Sequence, residues 1–298
     1  MDKFRLCELN LESWADFSRL SELLSRYIFR GQSDTSWGLT TSLERTQSRF
    51  VKSLAPSVGD ERWALHEFKS KFHLYNDHAP GDADQFEWLA IMQHHGCPTR
   101  LLDFTWSIYV ALHFAIANAT GPAAIWCLND REIMGGLRRR FDLGYQLGHV
   151  LKDAINQHHK KFFNELFTHN KNREVEPHLI PLESVKLSTR VARQQALFLA
   201  PTTIGDLSKS VTFEQCLLSS VSEGEFQYIQ LQSVDLAEVL VAARQVAPAF
   251  SCLKLTLGER LQNHAWRQLE SMGITEETLF PGLDGLARSL VMKHMRLI

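Results

Sequence analysis

The chain has 298 residues, of which 44% are hydrophobic and 22% charged, so it can bury a sizeable core without disulfides or a structural metal. Its 32 basic and 34 acidic residues leave a formal charge of −2, which excludes a whole-chain field that would draw it to nucleic acid or anionic lipid. Cys7, Cys97, Cys127, Cys216 and Cys252 are widely spaced and odd in number, a pattern of reduced thiols in the cytoplasm and not of a disulfide framework. The opening MDKFRLCELNLESW lacks a signal-peptide core, and no run of about 18 apolar residues occurs, so a cytoplasmic protein with no membrane span is expected.

Residues 13–26 place Trp14, Phe17, Leu20, Leu23 and Leu24 at helical spacing, with Ser13 as N-cap. Tyr27, Ile28 and Phe29 read as a short buried strand that stops at Arg30-Gly31. Residues 59–78 form a second helix and PGDAD a surface loop, after which Phe86–Gln93 is helical and ends at His94-His95-Gly96, with Cys97-Pro98 as the stop. A polar, irregular stretch then delivers the chain to a helix over residues 107–118, for which Asp103, Thr105 and Ser107 are all chemically able caps. Ala123–Leu128 is a buried strand and Asn129-Asp130 a turn. Residues 131–170 read as a helical insertion. Strands return near 179–187, 195–200, 226–232 and 246–257, and LGERLQNHAWRQLESMG is an amphipathic helix before a helical close. The expectation is one α+β domain over residues 1–298: a mixed β core with flanking helices.

Three segments join a buried element to polar residues that a core does not need. In Tyr27–Gln32 the guanidinium of Arg30 suits a phosphate or carboxylate, because its planar fork bonds two oxygens at once, and Gly31 lets a ligand or a backbone come close. A structural arginine paired with an acid is the alternative. Gln93–Thr105 places Arg100 near a helix N-terminus, where free N–H groups favour an anion; an Arg100–Asp103 pair that only shapes the loop is the alternative. Arg190–Leu199 sets Gln194 and Gln195 before an apolar strand, with a simple strand edge as the alternative.

His94-His95 and His158-His159 lack metal-ligand spacing, so no metal is expected, and Arg138-Arg139-Arg140 reads as a solvated helix face. His113 reads as a satisfied core histidine. No GxGxxG, Walker or GxSxG pattern occurs, which leaves hydride transfer, phosphoryl transfer and serine hydrolysis without support.

YIFRGQ, QHHGCPTRLLDFT followed by SIYVALHFA, RVARQQALF, and LESMGITEETLFPGLDGLARSL stand in the order of the FRG domain motifs, and the chain resembles that family over nearly its whole length. Phe104 stands where the family pattern usually has tryptophan, and Ala196 where glycine is usual. FTWSIYVALHFA, with an aromatic-Arg-Gly strand end before it and a polar pair before Leu-Phe after it, is also similar to arginine-type ADP-ribosyltransferases. That second resemblance implies an ADP-ribosyltransferase-like core using NAD as substrate to modify an intracellular macromolecule, protein or nucleic acid, as a toxin or anti-phage defence effector. It implies that Arg30 grips the pyrophosphate, that Thr105 and Ser107 line the nicotinamide side, and that Gln194 or Gln195 stands at the position of a steering glutamate. Gly31, Gln32, His94, Thr99 and Arg100 complete the dinucleotide-binding set. A neutral glutamine only hydrogen-bonds, so Asp103 is the alternative acid. The rival is a non-catalytic nucleotide- or phosphate-binding module.

Overall fold

The computed structural model describes residues 5–50, 58–143, 152–169, 175–184, 189–203, 211–221, 227–231 and 251–295. In chain order the first half reads β1 (Arg5–Leu11), α1 (Trp14–Leu23), β2 (Tyr27–Gln32), α2 (Ser42–Phe50), α3 (Val58–Phe72), α4 (Gln85–His94), β3 (Leu102–Thr105), α5 (Ile108–Ile116) and β4 (Ala123–Asn129). The second half reads α6 (Asp130–Phe141), α7 (Lys152–His169), β5 (Leu179–Leu182), α8 (Thr189–Arg193), β6 (Ala196–Pro201), α9 (Phe213–Val221), β7 (Gln227–Leu231), β8 (Cys252–Leu257), α10 (Glu259–Ser271), α11 (Glu276–Leu279) and α12 (Leu283–His294). The strands join one mixed sheet of order β5-β6-β3-β2-β4-β8-β1-β7. β1 runs parallel to β7 and β8, and the remaining pairings are antiparallel.

The strands bury both faces, and their side chains sort by the period of two. Tyr27 and Phe29 of β2, Ile125 and Cys127 of β4 and Leu253, Leu255 and Leu257 of β8 meet α1, α5 and α10 in one core. Their neighbours Ile28, Trp126, Leu128 and Cys252 turn to the opposite face, where they join Leu102, Phe104, Leu197 and Leu199 and residues of α6 and α9. At the β5–β6 end, Ile180, Leu182, Phe198 and Ala200 pack with residues of α3, α4 and α7 in a third cluster. The helical run expected over 131–170 thus supplies core residues in Leu137, Phe163, Leu166 and Phe167.

Two local expectations are corrected. The stretch expected to be irregular before α5 contains a strand: Leu102–Thr105 pairs with β6 along all four residues and with β2 at Phe29↔Thr105. Asn129-Asp130 is a helix start in place of a turn, since the Asn129 side chain accepts from the backbone N–H groups of Arg131 and Glu132 and caps α6. β1, α2, α8 and α9 were absent from the sequence expectation, and the start of the strand expected at 246 lies outside the described residues.

Candidate functional site

The sheet ends, α4, α8 and the loop between β2 and α2 enclose a cavity of about 1440 Å³, larger than the roughly 300–1,000 Å³ of usual small-molecule pockets. Of the sequence candidates, Arg30, Gly31, Gln32, His94, Asp103, Thr105 and Gln194 line it. Residues from three distant segments therefore share one wall. Thr99, Arg100, Ser107 and Gln195 do not line it.

β2 carries Arg30 to the cavity, where its neighbour in β3 is close enough for Arg30 Nη1 to donate to the carbonyl oxygen of Asp103 at 2.8 Å. Arg30 Nε is a buried donor with no hydrogen-bond partner among the described residues. Such a donor costs about 1–3 kcal/mol until an acceptor arrives. Burial presses the guanidinium pKa down, with Asp103 opposing that shift and Arg45 adding to it. Arg45 and Arg190 line the same cavity, Arg45 with Nη1 donating to Thr40 O at 2.5 Å and Arg190 with its guanidinium 4.6 Å from the Phe280 ring centroid. Partial burial, then Arg288, depresses the Arg190 pKa, while Asp103 and Glu276 support the charge. Burial, then Arg190 and His95, lowers the pKa of His94.

Two carboxylates line the cavity, Asp103 and Glu87. Glu87 accepts from Lys160 Nζ at 2.7 Å and from Ser184 Oγ at 2.6 Å, so a buried cation already balances it. Asp103, exposed on β3, answers the arginines.

Gly31 serves the fold directly. A Cβ there would lie 2.0 Å from the carbonyl oxygen of Ala111 and 2.6 Å from the backbone nitrogen of Ala115, so the missing side chain admits α5 against β2. Gln32 is also held on both sides: its Nε2 donates to Gly38 O at 3.0 Å and its Oε1 accepts from Trp126 Nε1 at 2.8 Å. Thr105 Oγ1 donates to Gln194 O at 2.7 Å, and Ser107 caps α5 by accepting from Val110 N at 3.3 Å.

Arg100 does not offer its charge to a ligand. It is 4% exposed, its Nε donates to Glu61 Oε2 at 2.5 Å, its backbone N–H donates to Glu61 Oε1 at 2.8 Å, and its guanidinium lies 5.1 Å from the Phe167 ring centroid. The acid that pairs with it is Glu61 and not Asp103. Thr99 is equally internal: it exchanges hydrogen bonds with Ser42 (Thr99 N to Ser42 Oγ 3.0 Å, Ser42 Oγ to Thr99 O 3.1 Å) and so fixes α2 to the segment before β3. Gln194 and Gln195 sit in the turn between α8 and β6, where Gln195 takes φ +47. The turn buries Gln194 and exposes Gln195. Gln194 Nε2 donates to Leu279 O at 3.1 Å and ties the turn to α11.

Sequence reasoning missed Arg45. The signal was there, because Thr41-Ser42-Leu43-Glu44 is a capping box: Thr41 N donates to Glu44 Oε2 at 2.6 Å and Glu44 N donates to Thr41 Oγ1 at 3.2 Å. A helix starting there carries Arg45 to the cavity.

Residues 25–123 match the FRG domain. The matched FRG segment carries Arg30, Trp37, Arg45, His94, Asp103 and Thr105, while Arg190 and Gln194 lie beyond it. The match covers about a third of the chain, less than the near-complete resemblance expected from the motifs. No curated protein and no solved structure matches the chain. Among the described residues, no helix is long and apolar enough to cross a membrane, and no cluster of three or more His, Cys, Asp or Glu side chains is placed to hold a metal ion.

Proposed function

We propose that the cavity binds NAD and that the protein transfers ADP-ribose from it to an intracellular macromolecule, with an ADP-ribosyltransferase-like sheet as the frame. The observation that carries the reading is the buried, unpartnered Nε of Arg30 on a cavity wall that also holds Arg45 and Arg190. A pyrophosphate brings two negative charges and acceptor oxygens to that wall, and a guanidinium fork meets them in pairs. The volume accommodates a dinucleotide.

In the transfer, the bond between nicotinamide and C1′ of its ribose breaks and the electron pair leaves with nicotinamide. A lone pair of the acceptor forms the new bond to C1′, and the acceptor's proton passes to a base or to water. The sugar carries positive charge in the transition state, so a fixed carboxylate lowers the barrier. Asp103 is the residue for that role, because Glu87 is already balanced by Lys160 and Gln194 is neutral. The role we propose, toxin or anti-phage effector, rests on the resemblance to such transferases alone.

A second reading has one observation in its favour. Gln194, one of the two glutamines that the transferase resemblance sets at the position of the steering glutamate, directs Nε2 to Leu279 O, as suits a cleft that binds a nucleotide without turnover. Nicotinamide release from NAD by the purified protein, with Arg30→Ala beside it, separates the two.

A further inference from the structure

Exposed large apolar side chains are ordinary when scattered over a surface, but one of them here stands at the mouth of the site. Among the described residues, Trp37 is the exposed large hydrophobic side chain that also lines the cavity; it is 53% exposed. Of the other cavity phenylalanines, Phe29, Phe72, Phe104 and Phe198 are buried in the cores and Phe114 is partly buried. The indole makes no ring or cation contact with any described residue, in contrast to Trp14, Trp88 and Trp126.

The backbone beneath the ring is fixed. Trp37 N donates to Asp34 O at 3.3 Å and Ser36 N to Asp34 Oδ1 at 2.7 Å, closing a turn. The next two residues are held from both sides, Gly38 O by Gln32 Nε2 at 3.0 Å and Leu39 N by Glu214 Oε1 at 3.1 Å. A Cβ on Gly38 would fall 2.3 Å from the Glu214 carboxylate, which would have to shift. A held backbone thus presents a solvated indole face, between two cavity arginines in sequence, Arg30 and Arg45.

We infer that Trp37 is the stacking platform for a nucleobase, the adenine of a ligand whose phosphates meet Arg30 and Arg45. An exposed indole gains by covering its face with a flat aromatic ring, and base stacking on an aromatic side chain is strong and tolerant of base identity. The site therefore selects nucleotides over simple phosphate esters. This rests on the anion-binding part of the NAD reading and not on transfer itself.

The test is calorimetric titration of the full chain, Trp37→Ala and Trp37→Phe with ADP and with inorganic pyrophosphate, which supplies the anion without the base. The wild-type chain is expected to bind ADP more tightly than pyrophosphate. Trp37→Ala is expected to weaken ADP by roughly 5- to 150-fold, to leave pyrophosphate unchanged, and to be rescued mostly by Trp37→Phe. A thermal melt checks that the exposed substitution leaves the fold intact. ADP binding unchanged in Trp37→Ala, ADP and pyrophosphate weakened alike, ADP no tighter than pyrophosphate in the wild-type chain, or no binding of either ligand would each overturn the assignment. Base-dependent ADP binding in a protein that releases no nicotinamide would keep the platform and remove the transferase reading.

Discussion

Arg30 Nη1 donates to the backbone carbonyl of Asp103 at 2.8 Å, across the β2–β3 pair, and this one bond aims the guanidinium along the cavity wall while leaving Nε without an acceptor. Arg100, two residues before β3 begins, is held by Glu61 through both its side chain and its backbone. The two arginines of the sequence motifs therefore have opposite duties.

That contrast predicts opposite mutational behaviour. Arg100→Ala leaves the Glu61 carboxylate, 1% exposed, without its cation and is expected to cost about 3–5 kcal/mol of stability. Arg30→Ala is expected to move stability by less than about 1 kcal/mol while abolishing anion binding. Urea denaturation of both variants decides it, and an Arg30→Ala loss as large as that of Arg100→Ala would make Arg30 a structural residue.

Gly31→Ala introduces a Cβ that meets the α5 backbone at 2.0 Å, and neither a strand nor a helix backbone yields cheaply. A destabilisation of about 1–3 kcal/mol or more is expected, with a displaced α5. A variant as stable as the wild type would mean that α5 does not lie that close to β2.

Gln195→Gly tests the division between the two glutamines. Gln195 is exposed at φ +47, where an L side chain is strained by about 1 kcal/mol or more, and its two backbone hydrogen bonds, to Ala192 O and from Trp106 N, survive the change. Stability is expected to hold or rise by up to about 1 kcal/mol with ligand binding intact. Loss of binding would bring Gln195 back into the site.

Much of the helical frame was legible from sequence, because α1, α3, α4, α5 and α10 repeat their apolar residues at helical spacing and bury that face. β3 was not: its apolar and polar residues alternate over only four positions, too short a run to announce a strand, and partners at Phe29 and in β6 make it one. Of the cavity lining, Arg30 and Gln194 were legible as polar residues beside apolar runs, and Asp103 as an acid within the second polar segment. Arg100 stood out equally and was misread, because its partner Glu61 lies 39 residues away in α3 and nothing local announces the pair. Arg190 opens the third polar segment but was given no role beside the more prominent glutamines.

Acid should weaken the fold through His159 and His178. Burial outweighs a hydrogen bond to Pro181 O in the first and to Leu179 O in the second, and holds both pKa values at about 4. An unfolded histidine titrates near 6.5, so above that pH both states are neutral and stability is complete. Between pH 6.5 and 4 only the unfolded chain takes up the protons, and stability falls with pH, each residue contributing on the order of 3 kcal/mol. The urea midpoint measured from pH 7 to 4.5 should drop steadily; a flat profile would place these imidazoles in contact with water.

The central claim is that Arg30 and its cavity bind NAD for chemistry, and nicotinamide release by the purified chain, with a cell extract as acceptor, reads it directly. Release that is abolished in Arg30→Ala, with the melt of that variant unchanged, is the predicted result. No release from the wild-type chain, together with no shift of its melt on adding NAD, would contradict the account.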